Sequence, residues 1–97
     1  MDTSKTLSDF FLAIGADPRI STTHISMFAA LLQYTSSRHT GMLNSDELMR
    51  LAKISSGKTY YKVLRQLAEF GYIRYVPSFH RNRPSQVHFV DFNITAA

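Results

Sequence analysis

The chain has 97 residues, 44% of them hydrophobic and 19% charged, which predicts one folded domain over residues 1–97 rather than a disordered chain. It contains no cysteine, which excludes disulfides and thiolate metal sites and fits a reducing, cytoplasmic compartment. No apolar run approaches the roughly 20 residues that span a bilayer, and the acidic start with Asp2 and Asp9 is unlike a signal peptide, so we expect no membrane contact.

The net charge of +4 is unevenly distributed along the chain. Residues 50–88 hold eight of the eleven basic residues and one acid, Glu69, so this segment carries +7 and the remainder carries −3. Such asymmetry is typical of a segment with a polyanionic partner. A solvated basic surface is the simpler interpretation, and charge alone does not decide between the two.

The first predicted element is a helix over residues 4–14. Ser4 is placed to cap it, and Gly15 is placed just past its end, where a left-handed conformation is common. Four apolar residues recur at helical spacing and form one stripe: Leu7, Phe10, Phe11 and Ile14. This stripe either closes over the core or forms the contact of a homodimer through the N-terminal helix.

A second helix is predicted over residues 22–36, after the break at Asp17 and Pro18. Its apolar residues occupy a wide face, which predicts that it is the most deeply buried helix. His24 lies in its first turn and is interpreted as a surface or capping residue. We expect a short extended piece after Gly41.

A third helix is predicted over residues 44–53, with Asn44 as its cap and Glu47 three residues on. Three residues are expected on its inner face: Leu48, Leu51 and Ala52. A tight polar turn follows, and Ser55 or Ser56 is placed to cap a fourth helix over residues 56–69. Two helices joined in this way form a helix-turn-helix unit.

The fourth helix has one apolar side, to which Tyr60 is assigned. Five polar or aromatic residues lie on the other side: Lys58, Thr59, Tyr61, Lys62 and Arg65. Cations near a helix N-terminus oppose the helix dipole at a cost of about 0.3–1 kcal/mol each when exposed. Stability therefore does not explain them, and a phosphate-facing helix end does.

After Gly71 the apolar pattern changes to a period of two, which predicts a β-hairpin over residues 72–92. Pro77 lies near the end of the first strand, and the return strand runs from Val87 to Phe92. Two basic residues lie at or near the tip of the hairpin: Arg81 and Arg83.

The run T-Y-Y-K-V-L-R-Q-L-A-E-F-G-Y-I, from Thr59 to Ile73, resembles the T-V-x-x-x-L-x-x-L-x-x-x-G-x-I signature of bacterial winged-helix regulators. The resemblance covers roughly residues 22–92, and Tyr60 takes the place of a buried aliphatic residue. It implies an α+β winged helix-turn-helix fold with a three-helix core, a C-terminal two-stranded β-hairpin wing and an extra N-terminal helix. It also implies that helix 56–69 enters the major groove of double-stranded DNA while the wing contacts flanking DNA.

The expected DNA-binding residues are Ser55, Ser56, Lys58, Thr59, Tyr61, Lys62, Arg65, Arg81 and Arg83. The serines and the free amides at the helix start offer a phosphate site, the basic side chains neutralise phosphates, and Lys62 or Arg65 can pair with guanine. Structural interpretations stay open for Tyr61, as an exposed tyrosine, and for the two arginines of the hairpin tip, as solubilising residues.

We therefore expect a sequence-specific double-stranded DNA-binding protein of bacterial type, acting in transcription regulation or in the control of a mobile element, in the cytoplasm. The alternative is a winged-helix module that binds protein, with Tyr61 and Phe79 as anchors. RNA binding is a third option, but the sequence offers no pair of exposed aromatics on a sheet surface for base stacking.

The sequence gives no indication of catalysis. Its four histidines lack the spacing of a zinc site, and no P-loop, G-x-S-x-G motif or carboxylate pair is present. Ser36 and His39 are close in sequence, which is rarely the arrangement of a catalytic triad. We expect no enzyme activity, no metal ion, no cofactor and no small-molecule ligand.

Overall fold

In a computed structural model, which describes residues 2–78 and 84–90, four helices precede a two-stranded antiparallel hairpin. The elements are α1 (Thr3–Ile14), α2 (Thr22–Arg38), α3 (Ser45–Ala52), α4 (Gly57–Glu69), β1 (Ile73–Val76) and β2 (Gln86–Phe89). The predicted α+β class is confirmed. None of the helices in these ranges has the length and apolar character needed to cross a membrane.

The central element is α2, against which the other three helices pack. Eight of its residues are buried, more than in any other described helix, which confirms the prediction for this segment. Among the helices and strands, α1 touches only α2, whereas α4 also contacts α3 and β1. The position of α4 is therefore set from three sides.

Both ends of α1 differ from the prediction. Asp2, not Ser4, is the cap, because its carboxylate accepts the Lys5 N–H at 3.1 Å and a negative charge is favourable at a helix N-terminus. Gly15 is right-handed, with φ of −55°, so the predicted left-handed end is wrong. The Asp17 N–H donates to the Ile14 carbonyl at 2.9 Å, so a tight right-handed turn satisfies the end of the helix.

The apolar stripe of α1 is divided between core and solvent. Phe10 is fully buried, and Leu7 and Ile14 are partly buried against the core. Phe11 is 48% exposed. Most of the stripe therefore packs against the core. The homodimer through α1 stays a prediction, and Phe11 is the residue of the stripe that is exposed enough to contact a second copy.

The start of α2 is organised by His24. The capping interpretation is confirmed, since the ring Nδ1 accepts the Ser21 N–H at 3.0 Å. The surface interpretation is wrong, because the side chain is only 7% exposed and its Nε2 lies 2.8 Å from Gln66 Oε1 on α4. At the other end α2 runs two residues further than predicted and stops at His39, which is left-handed with φ of 53°.

The cap of α3 is as predicted, with Asn44 Oδ1 accepting the Glu47 N–H at 3.1 Å. Leu51, however, is 49% exposed and does not belong to the inner face. Leu48 and Ala52, one turn apart, face the core, and the third apolar position is taken by Ile54 in the following turn. Lys53 makes this possible because its left-handed backbone (φ 61°) turns the chain back towards the core.

The hairpin pairs Ile73 with Phe89 and Tyr75 with Val87, while Arg74 and His88 face each other on its exposed side. The extended piece after Gly41 is confirmed, since Met42 bridges to Gln86. The Gly41 carbonyl accepts the Val87 N–H at 2.9 Å, and the Leu43 N–H donates to the Ser85 carbonyl at the same distance. β2 ends at Phe89, and the predicted end of the return strand at Phe92 lies outside the described residues.

The loop between α1 and α2 is tied to the junction of α4 and β1. Asp17 accepts two hydrogen bonds from the Arg19 guanidinium, at 2.8 and 2.9 Å, and a third from the Tyr72 hydroxyl at 2.5 Å. The Arg19 guanidinium in turn lies over the Phe70 ring, 4.2 Å from its centroid. These contacts anchor the C-terminal end of α4.

Candidate nucleic-acid interface

The orientation of α4 follows from its buried residues. Four side chains at helical spacing fill the core: Tyr60, Val63, Leu64 and Leu67. The predicted inward position of Tyr60 is confirmed. Ser56 caps the helix, its hydroxyl oxygen accepting the Thr59 N–H at 3.3 Å.

Three cations project from the opposite side of α4. Their spacing is i, i+4 and i+7, which places one cation on each successive turn: Lys58, Lys62 and Arg65. The three side chains form a line along the side of α4 that faces away from the core. All three are exposed. We call these three residues the basic ridge.

The cations of the basic ridge differ from other basic residues in their partners. Lys5, Arg19 and Arg38 are each paired with a carboxylate, that of Asp9, Asp17 or Glu47 respectively. None of the ridge cations forms an ion pair with a carboxylate in residues 2–78 and 84–90. Glu69 lies one turn after Arg65 but is not paired with it. The positive charge of the ridge is therefore available to an external anion.

Thr59 and Tyr61 lie on the two flanks of the ridge, and both are exposed. The Tyr61 ring is 42% exposed and meets the buried Tyr60 ring edge to face, with centroids 4.9 Å apart. Burial of Tyr60 and the neighbouring phenols, that of Tyr61 first, raise the pKa of the Tyr60 hydroxyl. Tyr60 thus stays a neutral phenol, and its buried ring packs against the ring of Tyr61.

The N-terminal end of α4 is open to solvent. Ser55 and Ser56 are exposed, and the amides of Gly57 and Lys58 find no acceptor in the described part of the chain. A Cβ built on Gly57 would meet no atom within 4 Å, so the approach to these amides is unobstructed. Free amides and a positive helix dipole suit a phosphate group.

The structure brings together seven of the nine predicted DNA-binding residues at the start and outer side of α4: Ser55, Ser56, Lys58, Thr59, Tyr61, Lys62 and Arg65. Arg81 and Arg83 lie outside the described residues, as does Phe79. Arg74 is exposed on the hairpin and has no carboxylate partner among the described residues.

Gln66 is a residue of this region that the sequence did not indicate. It lies on the same flank of α4 as Thr59, two turns further on, and is half-buried beside His24. The Ser21–His24 spacing signals a cap, but no pattern in the sequence connects His24 with a residue 42 positions later.

His39 and His88 border one open groove of about 570 Å³ between the end of α2 and β2. Thr35, Ser36 and Thr40 also line it. Within the ranges that the structure describes, no three His, Asp or Glu side chains are grouped as a metal site would require. His80 lies outside these ranges.

No protein-family model, curated protein or solved structure matches the chain. The charge and geometry of α4 are thus the basis on which a function is assigned.

Proposed function

We propose that this chain is a winged helix-turn-helix protein that binds double-stranded DNA, with α4 in the major groove and the hairpin as the wing. Its role would be transcription regulation or control of a mobile element. The element order supports this fold, since α3 and α4 are joined by a tight turn and α4 leads directly into the hairpin. The bridge of Met42 to Gln86 adds a third short strand segment beside β2, which stiffens the base of the wing.

The observation that carries the proposal is the basic ridge. Three exposed cations lie on one line of a helix whose other side is fixed in the core, and they have no carboxylate partner among the described residues. Unpaired cations on a rigid helix neutralise phosphates and release condensed counterions, which is the main source of affinity for duplex DNA. The B-DNA major groove is wide enough to admit an α-helix.

The residues of this surface divide by chemistry. Lys58 and the free amides at the start of α4 suit phosphate oxygens, which position the helix without reading sequence. Arg65 and Lys62 suit the O6 and N7 atoms of guanine, and the flanking Thr59 and Tyr61 suit phosphates or a thymine methyl. Sequence specificity would therefore depend chiefly on Arg65 and Lys62.

The test begins with selection of preferred sites from random duplexes by the wild-type protein. Affinity for the selected duplex is then measured by fluorescence anisotropy for the wild type and for the Lys62→Ala and Arg65→Ala variants. We expect Arg65→Ala to bind about 5- to 150-fold more weakly, the equivalent of about 1–3 kcal/mol for one guanine contact, and to lose preference at one base position.

Lys5→Ala is the matched control, because it also removes one positive charge but from α1, which does not contact α4. Its affinity should stay near that of the wild type. Equal affinities for all three variants would overturn the assignment of α4 as the reading helix. If the wild type shows no salt-sensitive binding to duplex DNA, the result favours the protein-interaction module instead, with Tyr61 as its exposed anchor.

A further inference from the structure

The orientation of the Gln66 amide is determined by the protonation of His24. A backbone N–H can only donate, so the bond from Ser21 N to His24 Nδ1, at 3.0 Å, leaves Nδ1 as an unprotonated acceptor. The neutral imidazole then carries its proton on Nε2 and donates it to the Gln66 oxygen at 2.8 Å. The Ser21 hydroxyl, 2.8 Å from Nδ1, donates to the same acceptor and reinforces this tautomer.

Because the Gln66 oxygen is engaged by His24, its NH₂ group points the other way. That group has no acceptor in residues 2–78 and 84–90, and the side chain is only half-buried. His24 itself is buried and held at both ring nitrogens, so it is a rigid support. The structure thus presents two fixed N–H donors on the flank of α4.

This flank is suited to a phosphate oxygen rather than to a base. Recognition of adenine by glutamine uses the amide oxygen and nitrogen together, and here the oxygen is already taken. When the basic ridge faces the floor of a groove, the flank of the helix faces the groove wall, where phosphates lie. Lys62, one turn before Gln66, and the positive end of the α2 dipole beside His24 add favourable charge for an anion.

We propose that Gln66 is a further nucleic-acid-binding residue, which donates from its NH₂ group to a backbone phosphate, and that His24 is the positioning residue that fixes its amide. This inference rests on the proposed DNA-binding function. It assigns Gln66 a contribution to affinity that is uniform across sequences, in contrast to that of Arg65.

The first experiment compares Gln66→Ala and Gln66→Glu with wild type on a random-sequence duplex and on a selected duplex. Glutamate keeps an acceptor for His24 Nε2–H but replaces the NH₂ donors with a negatively charged oxygen. We expect about tenfold weaker binding for Gln66→Ala and a larger loss for Gln66→Glu, by the same factor on both duplexes.

Gln33→Glu is the matched control for Gln66→Glu. It makes the same change of charge on an exposed glutamine of α2, about half a turn around that helix from His24. We expect its binding to stay close to that of the wild type. Equal losses for Gln33→Glu and Gln66→Glu would overturn the inference, since they would report only the added negative charge.

The second experiment tests whether His24 acts through Gln66. His24→Phe keeps a ring in the site but removes the Nε2 donor, and it is measured alone and together with Gln66→Ala. If His24 positions Gln66, His24→Phe weakens DNA binding in the wild type and has no further effect in the Gln66→Ala background. Independent, additive losses would overturn the positioning role.

A nuclear magnetic resonance measurement checks the geometry without reference to affinity. The imidazole ¹⁵N shifts of free wild-type protein should report the Nε2–H tautomer, and the Gln66 NH₂ signals should shift when the random duplex is added. The opposite tautomer, or unmoved Gln66 signals in a protein that binds, would overturn the inference alone. Absence of any binding by wild type at low salt would instead overturn the DNA-binding function on which it rests.

Discussion

Phe10 of α1 lies face to face with Phe28 of α2, with ring centroids 3.8 Å apart and an angle of 3° between the ring planes. Phe10 also meets the Tyr72 ring edge to face, and Phe28 meets Phe89 of β2 in the same way. One chain of ring contacts therefore runs from the first helix through α2 to the hairpin. The N-terminal helix is part of the core and not an appendage to it.

The first prediction concerns this stack. Phe10→Ala should lower the free energy of unfolding by about 3–5 kcal/mol, because it removes a fully buried ring and leaves a cavity against Phe28. Leu12→Ala, at a residue of the same helix that is 78% exposed, should change it by less than about 0.5 kcal/mol. Chemical denaturation followed by circular dichroism measures both. Similar stabilities for the two variants would contradict the placement of α1.

The second prediction compares two glycines. A Cβ on Gly41 would lie 2.7 Å from the Val87 carbonyl oxygen, too close for any side chain, because the two backbones approach each other for a hydrogen bond. Gly41→Ala should therefore cost about 1–3 kcal/mol of stability. Gly57→Ala meets open space at the start of α4 and should stabilise by about 0.4–1 kcal/mol. Thermal unfolding of both variants measures the two changes in stability. The prediction requires a lower melting temperature than the wild type for Gly41→Ala and a higher one for Gly57→Ala.

The third prediction is a dependence of stability on pH. Hydrogen bonds from Arg19 and Tyr72 lower the pKa of Asp17 well below its usual value, so the folded state favours the carboxylate. The ionised Asp17 carboxylate therefore adds to the free energy of unfolding. This contribution is complete above the ordinary carboxyl pKa of about 3.9, and it is lost as the pH falls from there through the lowered pKa of Asp17 in the folded state. Asp17→Asn should reduce stability at neutral pH and flatten the acid side of the profile.

Urea denaturation across a pH series measures this effect, and Glu69→Gln is the control, since Glu69 is exposed and forms no ion pair with the described residues.

The same pH series, extended to alkaline pH, tests the hydroxyl of Tyr72. Burial and the hydrogen bond to Asp17 raise the pKa of Tyr72 to about 12, so stability should also fall as pH rises from about 10 through that value. Tyr72→Phe should show a smaller alkaline loss, and the loss that remains comes from Tyr60, whose pKa is also raised in the folded protein. An unchanged profile would count against the Asp17–Tyr72 contact.

The fourth prediction concerns salt. Lys58 is assigned to a phosphate and Lys62 and Arg65 to guanine, so replacing Lys58 by alanine should reduce the slope of log affinity against log salt by about 0.9. The effect arises because fewer counterions are released on binding. Titration of a duplex at several salt concentrations measures the slope. A Lys58→Ala variant with the wild-type slope would show that Lys58 does not contact the DNA backbone.

Local patterns in the sequence were sufficient to predict most of the elements. The cap at Asn44 satisfies an amide three residues further on, so spacing alone predicts it. For α4, spacing left Ser55 and Ser56 as alternatives, and the structure shows Ser56 as the cap. Spacing alone also predicts the two sides of α4, because its period of 3.6 places Tyr60 and Leu64 inside and Lys62 and Arg65 outside. The change to a period of two after Gly71 likewise predicted β1.

Tertiary packing decided what local patterns could not. Leu51 has the spacing of an inner residue, yet it is exposed because the left-handed Lys53 brings Ile54 into the core instead. The burial of His24, which was predicted as a surface or capping residue, depends on residues distant in sequence that pack around it. The partner of His24, Gln66, lies 42 residues away, and a contact at that separation depends on how α2 and α4 pack. The sequence by itself determined which side of α4 is basic, and the packing of α2 against α4 determined that a neutral histidine holds Gln66 beside it.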